Sequence, residues 1–497
     1  MSAVHPQPAA LDETAGHTSD SLAPVPKSRQ TWGWFEIFNI WANDIQSLFG
    51  YSLVASLFIS YGVSGWTAFA ALITAGLIVM VLVNVSGRPG VDHGIPYPVL
   101  ARASMGTAGA RLPAMLRATV AVFWYGAQTY FASTALELLI VTLAGTTGGP
   151  ELFGLTPVGW FSFLAVWAFQ IAIFSRGMGW IGTFLNVAGP FVYAVMIGLL
   201  VVLWQRSEGA LWADARTIFA PENPTFASEA SGFVAIVGTM IAYFAAVMIN
   251  FSDFSRYSRD TRSMVLGNLA GLPLNMVLFS ALALLITAGG AGLYGEALTN
   301  PTDIVERADS TVLSLIAAIT FFAATVGINL VANFIPAVNG IANLAPSRID
   351  FRRAGWITSA LALVIGGFWV GFISTVGIAG FVNTLGATLA PLYGIMVCDY
   401  YLVRRRHLVV EELYRNDAGS RYHYSGGWNR TALLAFLVAA VFSVAAVWVP
   451  AMAALSGYAW LIGALLGAVL YRLLAPGAKD PSENISGTAQ ERPELSS

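Results

Sequence analysis

An all-α polytopic membrane protein is the fold class this sequence predicts, and three observations predict it. Of 497 residues, 56% are hydrophobic and only 10% charged, where a soluble globular protein carries roughly 25% charged residues. Mean hydropathy is +0.67. Apolar runs long enough for spans of about 20 helical residues recur from Trp34 onward, separated by short polar breaks. Twelve transmembrane helices are predicted, near 34–60, 66–86, 114–145, 157–175, 179–204, 232–250, 264–290, 309–344, 354–371, 374–402, 428–449 and 456–474. The runs are helical rather than the roughly ten-residue alternating segments of an outer-membrane barrel.

The flanks differ in kind. Residues 1–30 are polar, carry Pro6, Pro8, Pro24 and Pro26, and lack the basic-then-apolar start of a signal peptide, so they read as a disordered tail. Residues 476–497 read the same way. Between them, 31–403 holds the first ten spans as one core, and 404–475 holds a loop and the last two. The net charge of −2 leaves no basic surplus for nucleic acid. Cys398 is the only cysteine, so no internal disulfide forms.

Lys and Arg counted in alternate loops orient the chain. One side collects 22 of the 25, including Arg88, Arg102, Arg111 and Arg117 between the second and third spans; the other holds Arg206, Arg216 and Arg307. The rich side is cytoplasmic. Both termini are therefore predicted in the cytoplasm, in an inner or plasma membrane.

Function in such a chain must come from polar groups at membrane depth, where desolvation is costly. The first span carries Asn43-Asp44-Ile45-Gln46-Ser47 near its middle, followed by Gly50. A continuous lipid-facing helix would not tolerate this run. A discontinuous helix would, because its unwound backbone offers carbonyls to a cation and amides to a substrate. Asp44 alone costs on the order of 2.5–3.5 kcal/mol at a helix centre. The competing structural reading is that these groups satisfy one another between packed helices.

Further along, Trp124 and Gln128 share a face of the third span, one turn apart, an arrangement that suits a flat, hydrogen-bonding ligand. Glu137 lies beyond them and fits a structural pair. Thr325, Asn329 and Asn333 draw a polar stripe at four-residue intervals along the eighth span. Interhelical adhesion is the alternative there. The sixth span, with Gly238-Thr239, Tyr243-Phe244 and Asn250, resembles a broken helix with an aromatic pair beside it. No metalloprotease-type paired histidines, nucleophile elbow or phosphate-cradling loop is present, and none of the five histidines falls inside a predicted span. Catalysis is disfavoured, and no cofactor is expected.

Four segments carry a resemblance. They are Gly94-Ile95-Pro96-Tyr97-Pro98-Val99 with Arg102 and Gly106; Phe123-Trp124-Tyr125-Gly126-Ala127-Gln128-Thr129; Asn329 with Val331-Ala332-Asn333; and Gly394-Ile395-Met396 with Asp399-Tyr400-Tyr401-Leu402-Val403-Arg404-Arg405-Arg406. In this order they resemble the bacterial nucleobase–cation symporters, which include hydantoin, allantoin, cytosine and uracil permeases. The resemblance covers about Trp34 to Tyr414.

It implies a leucine-transporter-like fold of two inverted five-helix repeats plus two C-terminal helices, with the first and sixth helices broken at mid-membrane. It implies that Trp124 stacks on the substrate and that Gln128, Asn329 and Asn333 are substrate-contacting or site-lining amides, with Gln46 near the ligand. The opposing aromatic falls on Phe244 when aligned through Asp253, with Tyr243 as the rival. Two rings would hold the faces of a planar heterocycle and carboxamides would read its rim.

The expected activity is import of a uracil-, cytosine- or purine-type nucleobase by cation symport and alternating access. An allantoin, hydantoin or vitamin-like heterocycle is the alternative, and a sensor or passive channel is disfavoured. For sodium, the resemblance implies carbonyls of Ala42, Ile45 and Ala324 plus two hydroxyls, but those hydroxyl positions fall on Gly327 and Ile328. Two oxygen ligands are missing, so proton symport through Asp44 is the expectation, with sodium bound by Asp44 as the rival.

Overall fold

The computed structural model describes residues 22–145, 149–176, 178–208, 211, 219, 225–296, 298–344 and 348–475, without the side chains of 178–190, 226 and 343. Its helices are α1 (Trp34–Ile45), α2 (Leu48–Tyr61), α3 (Gly65–His93), α4 (Tyr97–Met105), α5 (Arg111–Ala144), α6 (Pro157–Arg176) and α7 (Met178–Arg206). They continue with α8 (Phe226–Ile249), α9 (Ser252–Ser255), α10 (Thr261–Leu269), α11 (Asn275–Tyr294), α12 (Pro301–Arg307), α13 (Thr311–Ile328) and α14 (Ile335–Leu344). The last are α15 (Phe351–Gly367), α16 (Trp369–Val376), α17 (Ile378–Cys398), α18 (Val410–Leu413), α19 (Arg430–Trp448) and α20 (Ala459–Leu474). Single π-helical turns join α10 to α11 at Ala270–Leu274 and α13 to α14 at Asn329–Phe334. Pro273 accounts for the first, since it has no N–H to give the helical ladder.

Among the described residues nine helices are long and apolar enough to cross a membrane, or ten if α15 and α16, bent by 61°, are one span. Their outward faces carry exposed apolar side chains such as Phe161, Val312 and Val441. A soluble helix turns such side chains inward; here the surrounding hydrocarbon removes the reason to do so.

Two helix groups face each other. In one, α1, α3, α8, α10 and α11 pack together; in the other, α5 packs against α6, α13, α14 and α15. A further set, α17 with α19 and α20, leans on α8. The polar residues singled out above lie mainly on α5 and α8 and at the ends of α1 and α13.

Several expectations are corrected. The sixth span is not broken at mid-membrane: α8 is one helix through Ile249, and the chain leaves helical geometry only at Asn250. Small or β-branched residues such as Gly238 and Thr239 do not interrupt a helix whose neighbours bury its sides. The gap expected between 371 and 374 is filled by α16, and the interruptions fall at Phe368 and at Gly377, whose φ is +73°. Arg117 is not a loop residue; it lies inside α5 and is 4% exposed.

The tails expected at 1–30 and 476–497 lie outside the described residues except for 22–30, and that stretch is held, not free. Val25 N donates to Gly94 O at 2.9 Å, Lys27 Nζ to Val91 O at 2.6 Å and Tyr414 Oη to Leu22 O at 2.6 Å. Just beyond, Trp32 N donates to Tyr257 O at 2.9 Å and Trp32 O accepts from Arg259 N at 3.0 Å. The segment thus lies across the ends of α3 and α9 and the turn after α18.

Candidate substrate site

The first span is interrupted where its polar run lies. Gln46 N donates to Ala42 O at 3.3 Å, closing the last turn of α1. Ser47 is extended (φ −82°, ψ 157°), and its hydroxyl accepts from Gly50 N at 3.0 Å, capping α2. A helix that stops and restarts leaves the carbonyls of its last turn without intrahelical partners. One of these, Asp44 O, accepts from Tyr243 Oη at 3.1 Å. A side chain at Gly50 would put its Cβ 2.6 Å from Ile45 O, so the chain returns to helix this tightly only because residue 50 is glycine.

Around this break α2, α5 and α8 contribute aromatic rings. Trp124 lies 5.4 Å from Tyr243, centroid to centroid, at 78° between planes. Phe49 sits 4.7 Å from Trp124 and parallel to Tyr243 at 6.0 Å. Phe381 and Trp369 complete the cluster, 5.3 Å from Trp124 and 4.9 Å from each other respectively. Phe244, the aligned candidate, instead packs edge-on against Trp41 at 5.9 Å and is fully buried. Tyr243 is therefore the aromatic that α8 brings to Trp124. The rings meet edge to face rather than as parallel walls, so a planar ligand between them needs a rotation that opens about 7 Å, twice a van der Waals contact.

The amides divide into two kinds. Gln46 and Gln128 are buried, and the Oε1 of each has no hydrogen-bond partner among the described residues. Such an orphaned acceptor costs about 1–3 kcal/mol unless something donates to it. Asn329, in contrast, is fully engaged: one Nδ2 hydrogen is shared between Tyr125 O at 3.1 Å and Thr129 Oγ1 at 3.2 Å, and the other goes to Gln170 Oε1 at 3.0 Å. Its Oδ1 accepts from Asn333 Nδ2 at 3.0 Å. Asn329 thus bonds across to two neighbouring helices, while Asn333 Oδ1 has no hydrogen-bond partner among the described residues. Glu137 accepts from Thr156 Oγ1 at 2.7 Å, a structural pair.

The candidate ion groups fall on facing elements. Ala42, Asp44 and Ile45 are at the end of α1, Ala324 is on α13, and α1 and α13 touch. The Asp44 carboxylate forms no ion pair among the described residues.

Sequence reasoning passed over four contributors. Gln170 was readable as a lone carboxamide in the fourth apolar run, the same signal that marked Asn329. Phe49 and Phe381 carried no signal, being apolar residues in apolar runs. Arg117, whose position near the start of the third span suggested a loop, donates from Nε to Ala246 O at 3.1 Å and from Nη2 to Ala332 O at 3.0 Å, tying α5 to both helix groups.

Comparisons with known proteins show the family. A family model described as permease for cytosine/purines, uracil, thiamine and allantoin matches residues 24–463. The chain belongs to this permease family. It is 32% identical over 466 residues to an allantoin permease of Bacillus subtilis, covering 92% of this chain and 93% of that one. It is 28% identical to a purine-uracil permease of Arabidopsis thaliana, covering 86% and 71%. A solved structure titled as the inward-facing conformation of Mhp1 superposes with a TM-score of 0.75 at 22% identity, covering 96% of this permease and 99% of that chain, which shows a shared fold. The permease is a transporter and not an enzyme.

Proposed function

We propose that this permease imports a nucleobase of the uracil, cytosine or purine type by cation symport, with Trp124 and Tyr243 facing the ring and Gln46, Gln128 and Asn333 reading its rim. The observation that carries the reading is the juxtaposition of that aromatic pair, 5.4 Å apart, with two buried carboxamide oxygens lacking donors among the described residues. A nucleobase supplies what both lack, two π faces and a rim of N–H groups. Stacking is worth about 1–3 kcal/mol per base. A ring that fails to satisfy a buried amide loses about as much. Allantoin or a hydantoin meets the same demands and is the second reading, favoured by the 32% identity to a protein named an allantoin permease.

On this reading α1–α2 and α7 join the other spans to make twelve, arranged as a five-plus-five inverted repeat followed by α19 and α20. The Lys and Arg distribution supports cytoplasmic termini in an inner membrane. Coupling is by proton through Asp44, because Gly327 and Ile328 supply no side-chain oxygen for sodium; sodium bound with Asp44 is the rival. Substrate and ion binding together would favour an occluded state, so the ion gradient drives uptake.

The test is uptake of labelled uracil, cytosine and allantoin into proteoliposomes under either a sodium or a pH gradient. Saturable uptake of a base driven by the pH gradient alone supports the proposal. Uptake confined to allantoin moves the substrate to the second reading, and gradient-independent flux refutes symport.

A further inference from the structure

We propose that Asn329, itself oriented by the main-chain oxygen of Tyr125, sets the polarity of the Asn333 carboxamide, presenting its Oδ1 as an acceptor that the transported ring meets with an N–H. This rests on Asn333 contacting substrate, as proposed above. The fixed point is a backbone carbonyl. Tyr125 O accepts from Thr129 Oγ1 at 2.7 Å and from Asn329 Nδ2 at 3.1 Å. A carbonyl oxygen only accepts, so the end of Asn329 that faces it is the NH2. The Thr129 hydroxyl has one hydrogen, committed to Tyr125 O, and therefore accepts from Gln170 Nε2 at 3.0 Å and from Asn329 Nδ2 at 3.2 Å.

Gln170 is oriented by the same constraint. With Nε2 turned to Thr129, its Oε1 is the atom that meets Asn329 Nδ2 at 3.0 Å. Asn329 Oδ1 must then point away and accept from Asn333 Nδ2 at 3.0 Å. Asn333 is left with an Oδ1 that has no partner among the described residues. Turning the whole relay over would place Asn329 Oδ1 where Nδ2 now stands, 3.1 Å from Tyr125 O, two acceptors with no hydrogen between them. Gln170, Thr129 and Asn329 are fully buried, so no bulk solvent relieves that conflict.

An isolated carboxamide offers a donor and an acceptor indifferently. Here the relay removes the indifference. A lactam, imide or ureide N–H fits Asn333, whereas an N-methyl group or an unprotonated ring nitrogen at the same place leaves its oxygen unpaired. Asn329 is the positioning residue in this scheme, and Gln170 and Thr129 hold it in place.

The experiment measures inhibition of labelled uracil or allantoin uptake, whichever enters, by the unlabelled parent and by each of its mono-N-methyl derivatives. In the unsubstituted protein at least one derivative should bind roughly tenfold weaker or worse than the parent. In Asn329→Leu, which cuts Asn333 off from Tyr125 O and leaves its carboxamide free to turn over, that ratio should fall to about threefold or less. Gln170→Met, which leaves Tyr125 O facing Asn329, should retain the discrimination. A ratio in folded Asn329→Leu equal to that of the unsubstituted protein overturns the relay while leaving the transport reading intact. Absence of uptake of either ring overturns the transport reading, and the relay's role falls with it.

Discussion

The phenolic hydroxyl of Tyr243 donates to the main-chain oxygen of Asp44 at 3.1 Å, joining the aromatic wall on α8 to the unwound point of the first span. Through this contact a side chain held for its ring also satisfies a carbonyl that the helix break leaves open. On the proposed reading, ligand stacking and the geometry of the break are coupled at one residue.

Tyr243→Phe keeps the ring and removes that hydrogen bond, worth about 0.5–1.5 kcal/mol. The expected result is a KM for the transported ring raised a few-fold, with little change in melting temperature. Phe244→Leu should do the reverse, because Phe244 packs on Trp41 in the interior. Uptake kinetics and a thermal melt of the purified protein separate the two.

Asp44→Asn should abolish uptake driven by a pH gradient while preserving binding of the ring, since the amide keeps the side chain's shape and removes its proton-carrying group. Equilibrium binding beside gradient-driven uptake is the measurement. Intact pH-driven uptake in this variant would eliminate Asp44 as the proton carrier.

Arg117→Met removes two charge-assisted hydrogen bonds that hold Ala246 O on α8 and Ala332 O in the turn before α14. At about 1.5–3 kcal/mol each, their loss should lower stability markedly and abolish transport. Arg117→Lys should recover little, because a single ammonium cannot reach two carbonyls with a planar fork's geometry. Melting curves and uptake of the two variants test this.

Gly50→Ala is expected to be far more damaging than Ser47→Ala. The latter loses a helix cap, about 1 kcal/mol. The former sets a methyl 2.6 Å from Ile45 O, a backbone atom that cannot move without reshaping the break. Thermal stability should fall in both, and substrate affinity chiefly in Gly50→Ala.

Gly94→Ala should release the segment 22–30 from the body of the protein. Gly94 has φ +70°, and a Cβ there would lie 2.3 Å from Val25 O. Limited proteolysis should cut within 22–30 faster in this variant than in the unsubstituted chain.

Most spans were legible because a membrane helix declares itself in one dimension: about 20 apolar residues in a row need no knowledge of neighbours. The break in the first span was legible for the same reason, since Asn43, Asp44, Gln46 and Ser47 cannot all sit on one lipid-facing helix. Trp124 with Gln128, and Asn329 with Asn333, were legible as faces, because residues four apart on a helix point the same way.

What the chain alone determined is therefore the set of helices, the interruption of the first and the polar faces that do not belong in lipid. Tertiary structure alone decided which partner each face meets. It set Tyr243 rather than Phe244 against Trp124, kept α8 continuous to Ile249, drew Arg117 inside, and set Gln170 from α6 against Asn329. The physical reason is that hydrogen-bond partners and ring contacts such as Tyr243 with Asp44, 199 residues apart, are properties of distance across the fold. Local periodicity carries no record of them.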